Sequence, residues 1–208
     1  MKSSQFDLYL LIFNISKLKN AGTLIRSAAA FNCKEVFLID SKKKTSKAMV
    51  FFGSHGTEQT TNYRIFKSIQ SVREYCTKQH IFICGVEIMP SSKPVQCHPF
   101  MGSTLIVMGN EGTGLNVNQK EICDQFIYIP QYSTKTACLN VAVAGSIIME
   151  HFAEWAKYAE MVQVGEKFVT DASPKLGYII NEDKEEEVNV AKPLSLIDPQ
   201  LDKLFGDL

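Results

Sequence analysis

The chain has 208 residues, 45% of them hydrophobic, and it carries 22 basic and 22 acidic side chains. This length suits one α/β domain with a tail, and the hydrophobic fraction is ordinary for a globular protein. No run of about 18 apolar residues occurs, so the sequence predicts no membrane-spanning helix.

The charges are unevenly distributed along the chain. Residues 1–80 contain 13 Lys and Arg against 5 Asp and Glu, a net charge of +8. Residues 81–160 contain 4 against 7, and residues 161–208 contain 5 against 10, which gives net charges of −3 and −5. A basic N-terminal half indicates binding to a polyanion, and the acidic C-terminal segment is typical of a tail.

Six widely spaced cysteines include no C-x-x-C pair and show no zinc-type spacing, so reduced thiols are expected. Cys97 and His98 are the only adjacent Cys/His pair, and the sequence offers them no further ligands, so no metal site is predicted. No small-residue cleavage site follows the apolar N-terminal stretch. We expect a protein of the cytoplasm, with the nucleus as the alternative, and not a secreted one.

Short apolar runs alternate with helical stretches along the chain, and continuous apolar runs are typical of strands buried on both faces of a parallel sheet. The predicted strands are Leu8–Ile15, Glu35–Asp40, His80–Glu87, Ser103–Met108 and Gln125–Pro130. The predicted helices are Gly22–Phe31, Ser46–Phe52, Lys67–Lys78, Asn118–Cys123 and Leu139–Met161. The alternation predicts one α/β domain, a mostly parallel sheet flanked by helices, over residues 1–162.

The last predicted helix carries one apolar stripe, formed by Val141, Ala144, Ile148, Phe152, Trp155 and Ala159. Core packing explains the stripe, and its end at Trp155 also suits a subunit interface. From about Val164, Gly, Pro and polar residues prevail, and residues 182–187 form a charge run typical of a solvated or disordered segment. Residues 163–208 are therefore predicted to be an acidic tail, partly disordered or docked, with Leu194–Leu208 as a short docking helix.

The first candidate segment runs from Asn20 to Arg26 and opens a helix with Asn20 as its predicted N-cap and Asn32, tolerant of positive φ, at its end. A helix N-terminus suits an anion. Arg26 lies about one turn after Gly22, is expected to face the same side as the loop, and has a guanidinium suited to phosphate. The structural alternative is a surface arginine on an amphipathic helix.

The second candidate segment, from Leu105 to Leu115, is an apolar strand that runs into a loop with three glycines. It is neither a Walker loop nor a dinucleotide fingerprint. A glycine-rich turn at the carboxyl end of a parallel strand is where α/β sheets bind ligands, although a plain turn is the alternative. Glu111 in this loop is an acidic group for which the sequence shows no structural need.

The third candidate segment joins the strand that ends at Ile129 and Pro130 to a helix that begins near Leu139. Asn140 lies in the first predicted helical turn, and its carboxamide can donate and accept hydrogen bonds. Small residues after it permit close backbone packing: Ala142, Ala144, Gly145 and Ser146. The alternative is an ordinary N-capped core helix.

Together the three segments resemble the SpoU (TrmH-like) branch of the SPOUT RNA methyltransferases, which includes tRNA guanosine ribose methylases. The Asn-x-Gly-x-x-x-Arg, Gly-Asn-Glu-Gly-x-Gly-Leu and Ile-Pro…Leu-Asn-Val-x-Val segments occur in the family's order. The resemblance covers about residues 7–160 and implies an α/β fold whose C-terminal part forms a trefoil knot. It implies an S-adenosyl-L-methionine-dependent RNA ribose 2′-O-methyltransferase that acts on tRNA or rRNA.

The resemblance also implies site residues and partners. Cofactor contacts are expected from Met108, Gly109, Asn110, Gly112, Ile129, Cys138 and Leu139. The chain is expected to be a homodimer in which Arg26 acts on the partner's site as phosphate clamp and electrostatic stabiliser. Three further catalytic residues are expected to orient Arg26, the ribose or the cofactor: Asn20, Glu111 and Asn140. The identity of the general base is left open. RNA is expected to contact Arg26, Lys42, Lys43, Lys44 and Lys47, with Arg64 and Lys67 as further candidates, and the neutral net charge leaves room for an accessory protein.

The sequence departs from the family pattern where Cys138 replaces the usual Ser, which puts the role of that hydroxyl in doubt.

Three alternatives to a ribose methyltransferase stay open. They are a non-catalytic RNA-binding protein of the same fold, an enzyme that methylates a base, and a nucleotide-binding oxidoreductase suggested only by the fold class.

Overall fold

The computed structural model describes residues 6–39, 57–170, 175, 177–182 and 186–189. Its strands are β1 (Leu8–Ile12), β2 (Glu35–Ile39), β3 (Tyr63–Phe66), β4 (Phe82–Val86), β5 (Lys93–Pro94), β6 (Thr104–Val107), β7 (Gln125–Tyr128), β8 (Gln163–Val164), β9 (Lys167–Phe168), β10 (Tyr178–Asn181) and β11 (Glu186–Asn189). Its helices are α1 (Leu18–Ala30), α2 (Ile69–Lys78), α3 (Val117–Ile122) and α4 (Val141–Trp155).

One nine-stranded sheet runs through the described residues in the order β11-β10-β3-β2-β1-β6-β4-β7-β5. Every neighbouring pair is parallel except β10 and β11. β1 lies near the middle, where Leu10 faces Val36 of β2 and Ile106 of β6. β8 and β9 form a separate antiparallel hairpin. The predicted fold class, a mostly parallel sheet flanked by helices, is confirmed.

The two faces of the sheet have separate apolar cores, because successive side chains of a strand point to opposite faces. On one face Leu8 and Leu10 of β1 pack with α1 and α4, and on the other Tyr9 and Leu11 pack with α2 and α3. All residues of β1, β2 and β6 are buried, as their continuous apolar runs predict. None of the described helices combines the length and apolar character needed to cross a bilayer.

The boundaries of α1 and α4 differ most from the prediction. α1 begins at Leu18, four residues earlier than predicted, and its N-cap is Lys17, not Asn20. It ends as predicted before Asn32, whose φ is +54°. α4 begins at Val141 with Asn140 as its N-cap and ends at Trp155, so the stripe does not reach Ala159. The predicted helix Ser46–Phe52 and the docking segment Leu194–Leu208 lie outside the described residues.

β3 was not predicted, and neither was its pairing with β10 from the C-terminal segment. The pairing is secured by a polar cluster at Glu35, which is only 4% exposed. Arg64 donates to both Glu35 carboxylate oxygens at 2.7 and 3.0 Å, and Tyr178 of β10 donates to the same carboxylate at 2.7 Å. Arg64 also donates to Glu182 at 3.2 Å. The guanidinium of Arg64 is therefore engaged inside the fold, and this favours a structural role for Arg64 over the predicted RNA contact.

Candidate active site

A cavity with a volume of about 590 Å³ lies at the carboxyl ends of β4, β6 and β7. Parallel strands end at the same edge of a sheet, so the loops that follow them converge there. Residues from all three predicted segments line this cavity. All seven predicted cofactor contacts are among them: Met108, Gly109, Asn110, Gly112, Ile129, Cys138 and Leu139.

The glycine-rich loop after β6 is closed by its own backbone. Asn110 and Gly114 exchange two backbone hydrogen bonds of 2.9 and 3.0 Å. The Asn110 side chain accepts from Gly112 N–H at 2.9 Å and donates to the backbone carbonyl of Asn14 at 3.0 Å. Gly114 has a φ of +69°, and a Cβ there would lie 2.6 Å from Oε2 of Glu87. The loop conformation therefore requires glycine at position 114.

Glu111 fixes this loop to the start of α1. Its carboxylate accepts from the backbone N–H groups of Ser16 and Lys17 at 2.8 and 2.9 Å and from Asn20 Nδ2 at 2.8 Å. Lys17, the N-cap of α1, makes no side-chain cap, so the chain supplies an anion to this positive helix end from a distant loop. The interpretation that Glu111 has no structural need to be in this loop is wrong, and the anion that this helix end suits is the protein's own carboxylate.

The hydrogen bonds also set the charge state of Glu111. Burial works to raise the pKa of its carboxyl, but the donors from Asn20, Ser16 and Lys17 outweigh this effect and lower the pKa below its ordinary value. Glu111 is therefore ionised at neutral pH.

Asn20 and Asn140 continue the network from Glu111 to α4. Asn140 Nδ2 donates to Asn20 Oδ1 at 3.1 Å, while Asn140 Oδ1 accepts from the N–H groups of Ala142 and Val143 at 2.9 and 3.3 Å. Asn140 is thus both the N-cap of α4 and a donor to α1. Three of the four predicted catalytic residues, Asn20, Glu111 and Asn140, form one chain of hydrogen bonds beside the cavity.

Close packing of α1 against α4 brings the two asparagines within reach of each other. Gly145 of α4 faces Leu24 of α1, and a Cβ at Gly145 would collide with the Leu24 side chain. Ser27, three residues after Leu24 on α1, shares a hydrogen bond of 2.7 Å with the hydroxyl of Ser146, the residue after Gly145 on α4. The small residues predicted to permit close approach therefore lie at the contact between these helices.

The fourth predicted catalytic residue, Arg26, is not part of this cavity. It is exposed on α1, does not line the cavity, and makes no ion pair with the described part of the chain. It therefore does not face the loop of its own chain as expected. The predicted RNA contacts Lys42, Lys43, Lys44 and Lys47 lie outside the described residues.

Lys17, Ser16 and Glu87 are among the residues of the site that were not predicted from the sequence. Lys17 lines the cavity, and the Ser16 hydroxyl accepts from Asn110 Nδ2 at 2.6 Å. Glu87 follows β4, lines the cavity and accepts from Leu115 N–H at 2.7 Å. An acidic residue directly after a buried strand is a signal from which Glu87 could have been predicted.

Curated relatives share this part of the chain. A 23S rRNA (guanosine-2′-O-)-methyltransferase, RlmB, of Acinetobacter baylyi is 30% identical over 152 residues, which cover 72% of this chain and 60% of the relative. A 23S rRNA (guanosine(2553)-2′-O)-methyltransferase, RlmP, of Bacillus subtilis is 27% identical, covering 68% of this chain and 56% of the relative. The chain spans about half to 60% of the length of the curated relatives it matches.

Solved structures share the fold. The SpoU methyltransferase AviRb from Streptomyces viridochromogenes, in complex with the cofactor AdoMet, matches with a TM-score of 0.63 and 19% identity over 77% of this chain and 61% of that chain. The TrmH/SpoU tRNA modifying enzyme of A. aeolicus matches with a TM-score of 0.61 and 18% identity, covering 75% of this chain and 77% of that chain.

The profile of the SpoU rRNA Methylase family matches residues 7–150, the region that contains all three segments of the cavity. The motif order, the sheet and this match agree, and the chain belongs to the SpoU rRNA methylase family.

Proposed function

We propose that this protein is an S-adenosyl-L-methionine-dependent ribose 2′-O-methyltransferase of tRNA or rRNA. The observation that carries the proposal is the convergence of three distant segments on one cavity, bound together by Asn20, Glu111 and Asn140. The curated names of the RlmB and RlmP relatives, which both describe 2′-O-methyltransferases of rRNA, support the reaction.

The cavity suits an adenosyl ligand in size and chemistry. Its volume of about 590 Å³ lies within the range of small-molecule sites. Apolar side chains from Met108, Ile129 and Leu139 would take the adenine, and the exposed backbone at Gly112 leaves open space for close approach, since a Cβ there would meet only Asn110 Oδ1 at 3.6 Å. When bound, S-adenosylmethionine would supply a methyl group that its positive sulfonium already activates.

The protein's task is then to position a ribose hydroxyl and to stabilise the charge that develops on it. Glu111 and Asn140 hold the loop and helix that border the cavity. Because Arg26 is exposed and does not line the cavity of its own chain, we assign it to the site of a second copy, where it would clamp phosphate. An arginine stays protonated, so it is not given the role of base.

A homodimer is therefore part of the proposal. Surface-exposed Ala29 and Ala30 flank the end of α1, and Val143 on α4 is 49% exposed. These apolar side chains lie on the two helices that carry Arg26 and Asn140, as a shared interface between copies requires. Lys42, Lys43, Lys44 and Lys47 would add RNA contacts, and the neutral net charge favours an accessory protein in RNA recruitment.

The expected trefoil knot is also carried over as a proposal. In the sheet, β6 and β4 lie between β1 and β7. The chain leaves β7 on one side of these two strands, yet the next helix, α4, packs on α1 and on β1 at their other side. Residues 129–140 must therefore cross the carboxyl edge where the glycine-rich loop lies, and loops from both segments line the same cavity. Such a crossing is what the knot requires.

The decisive experiment uses two variants, Arg26→Ala and Asn140→Ala. Calorimetry with S-adenosylhomocysteine should detect binding to wild type and to Arg26→Ala, whereas methyl transfer to bulk tRNA and rRNA should be lost in Arg26→Ala. Lys78→Ala, an exposed cation on α2, is the matched control and should retain transfer. Mixed dimers of the two variants should regain part of the activity, because one site then has both an intact cavity and the partner's arginine.

Ribose methylation of the product is detected by its resistance to nuclease and alkali at the modified linkage. Full turnover by Arg26→Ala would remove this residue from the mechanism. RNA binding without any S-adenosylhomocysteine binding or methyl transfer would instead favour the non-catalytic RNA-binding alternative, and a modified base would favour the base methylase.

A further inference from the structure

A second polar cluster lies at the opposite end of α4 from the cavity. His98 follows the short 3-10 helix Val95–Cys97, and His151 and Glu154 lie three residues apart in the last turns of α4. None of these three side chains lines the cavity. His151 lies 11 residues after Asn140, which places it about 16 Å further along the helix axis. The cluster is therefore independent of the proposed methyltransferase site.

The nitrogen and oxygen atoms of the cluster converge on one point. His98 Nε2 lies 3.2 Å from His151 Nδ1 and 3.3 Å from Glu154 Oε2, and His151 Nδ1 lies 3.9 Å from that oxygen. Zinc binds imidazole nitrogen and carboxylate oxygen at about 2.0–2.2 Å, so ligand atoms around a tetrahedral ion are roughly 3.3–3.6 Å apart. The three observed distances thus approximate one triangular face of a zinc tetrahedron.

The orientation of the two imidazoles supports this interpretation. The rings are tilted by 59° with centroids 5.4 Å apart, so they are not stacked, and their facing nitrogens, His98 Nε2 and His151 Nδ1, lie 3.2 Å apart. The side chains of His98 and His151 are 31% and 21% exposed, whereas that of Glu154 is 61% exposed. The site is therefore partly shielded and still open to solvent on the carboxylate side.

The backbone that presents these ligands is well anchored. Val95, at the start of the 3-10 turn, is fully buried in the core, and His98 N–H donates to its carbonyl at 2.9 Å. The other two ligands lie on a regular helix whose neighbouring residue Phe152 is fully buried. No further ligand for Cys97 and His98 was evident from the sequence, but the fold brings His151 and Glu154 of α4 to His98.

We propose that His98, His151 and Glu154 bind one Zn²⁺ ion, with the fourth position open to water. Two imidazoles and one carboxylate suit zinc and disfavour Mg²⁺ and Ca²⁺, which prefer all-oxygen ligands. The ion joins the turn before Pro99 to the C-terminal end of α4, and so holds the helix from the end opposite to Asn140. This site does not rest on the proposed methyltransferase activity.

Zinc titration of the full chain, stripped with a chelator and freed of any affinity tag, tests the proposal. Calorimetry should give one Zn²⁺ per chain, and Co²⁺ in its place should show the intense visible absorption of a four-coordinate ion. We expect His98→Gln, His151→Gln and Glu154→Gln each to weaken zinc binding more than about 100-fold, because loss of even an outer-shell partner costs about 10–100-fold.

Two matched controls keep the test specific. His80→Gln removes an exposed histidine that does not belong to the cluster, and Glu150→Gln removes an exposed carboxylate one turn earlier on α4. Both should bind zinc as wild type does. Glu154→Gln keeps the test decisive if a histidine variant fails to fold, because this exposed side chain packs against little.

The proposal is overturned if wild type binds no zinc under these conditions, which would leave the cluster as hydrogen-bonded side chains only. It is equally overturned if Glu154→Gln binds zinc as tightly as the Glu150→Gln control, or if Cys97→Ser abolishes binding while the three ligand variants do not.

Discussion

Substituting Asn140 tests the network that joins α1, α4 and the glycine-rich loop. Asn140→Ala removes the N-cap of α4, which costs about 1 kcal/mol, and it removes the donor to Asn20 Oδ1. Asn20 is only 8% exposed, and an acceptor left unpaired in such a place costs about 1–3 kcal/mol. The free energy of unfolding should therefore fall by about 2–4 kcal/mol.

Two further variants separate these contributions. Asn140→Ser retains a capping oxygen but lacks the amide donor to Asn20. Its free energy of unfolding should therefore fall only by the cost of the unpaired Asn20 acceptor, about 1–3 kcal/mol. Ser68→Ala removes the N-cap of α2, where Ser68 Oγ accepts from Ser71 N–H at 3.1 Å, and should lose about 1 kcal/mol. Ser68 does not line the cavity, so it serves as the matched control.

Urea unfolding measures the stability of each variant, and calorimetry measures its affinity for S-adenosylhomocysteine. Both Asn140 variants should bind this ligand roughly tenfold more weakly, the equivalent of about 1.4 kcal/mol, because the hydrogen bond that joins the helices beside the cavity is lost. Ser68→Ala should bind it as wild type does. The reasoning is refuted if Asn140→Ser is as stable as wild type, or if Asn140→Ala binds the ligand with unchanged affinity.

Three other predictions concern the loop, its carboxylate and the C-terminal strand. Gly114→Ala should lower the free energy of unfolding by about 2 kcal/mol, because alanine is strained at the positive φ of this position and its Cβ would collide with the Glu87 carboxylate. Gly112→Ala, with open space at its Cβ, should change stability little, and equal losses in the two variants would contradict this. The pKa of Glu111 is lowered in the fold, so its ionised carboxylate stabilises the protein at pH values above its unfolded pKa of about 4.5. This stabilisation is lost as the pH falls through the folded pKa. Urea midpoints of Glu111→Gln should therefore fall less between pH 5 and about pH 3 than those of wild type, and parallel curves would exclude this role. Tyr178→Phe removes a hydrogen bond to the buried carboxylate of β2 and should cost about 1.5–3 kcal/mol in urea unfolding, while Tyr132→Phe, 90% exposed, should cost nothing measurable.

The sequence predicted the parts of the fold that depend on continuous apolar runs. All five predicted strands are present, because burial on both faces demands an unbroken hydrophobic run that is visible locally. β3 was missed because Arg64 interrupts its apolar residues. That charge is tolerated only through Glu35 on a neighbouring strand, a partner 29 residues away that no local pattern announces.

The candidate site was predicted in its parts but not in its connections. The convergence of three loops followed from the rule that parallel strands end at one edge. The capping of α1 by Glu111 could not be predicted from the sequence, because Glu111 and Lys17, the N-cap that it contacts, are 94 residues apart along the chain. The local pattern instead favoured Asn20 as the cap, a residue that in the fold donates to Glu111.

The parallel pairing of β10 with β3 has a consequence for folding and for the design of shorter chains. Tyr63 and Ile179 are partners across 116 positions of sequence, so this pairing closes a long loop and should form late. A fragment cut near residue 162 would leave β3 as an open edge strand, with free N–H and C=O groups that template association with other chains. Self-association of such a fragment, rather than loss of its core, would then be its first failure.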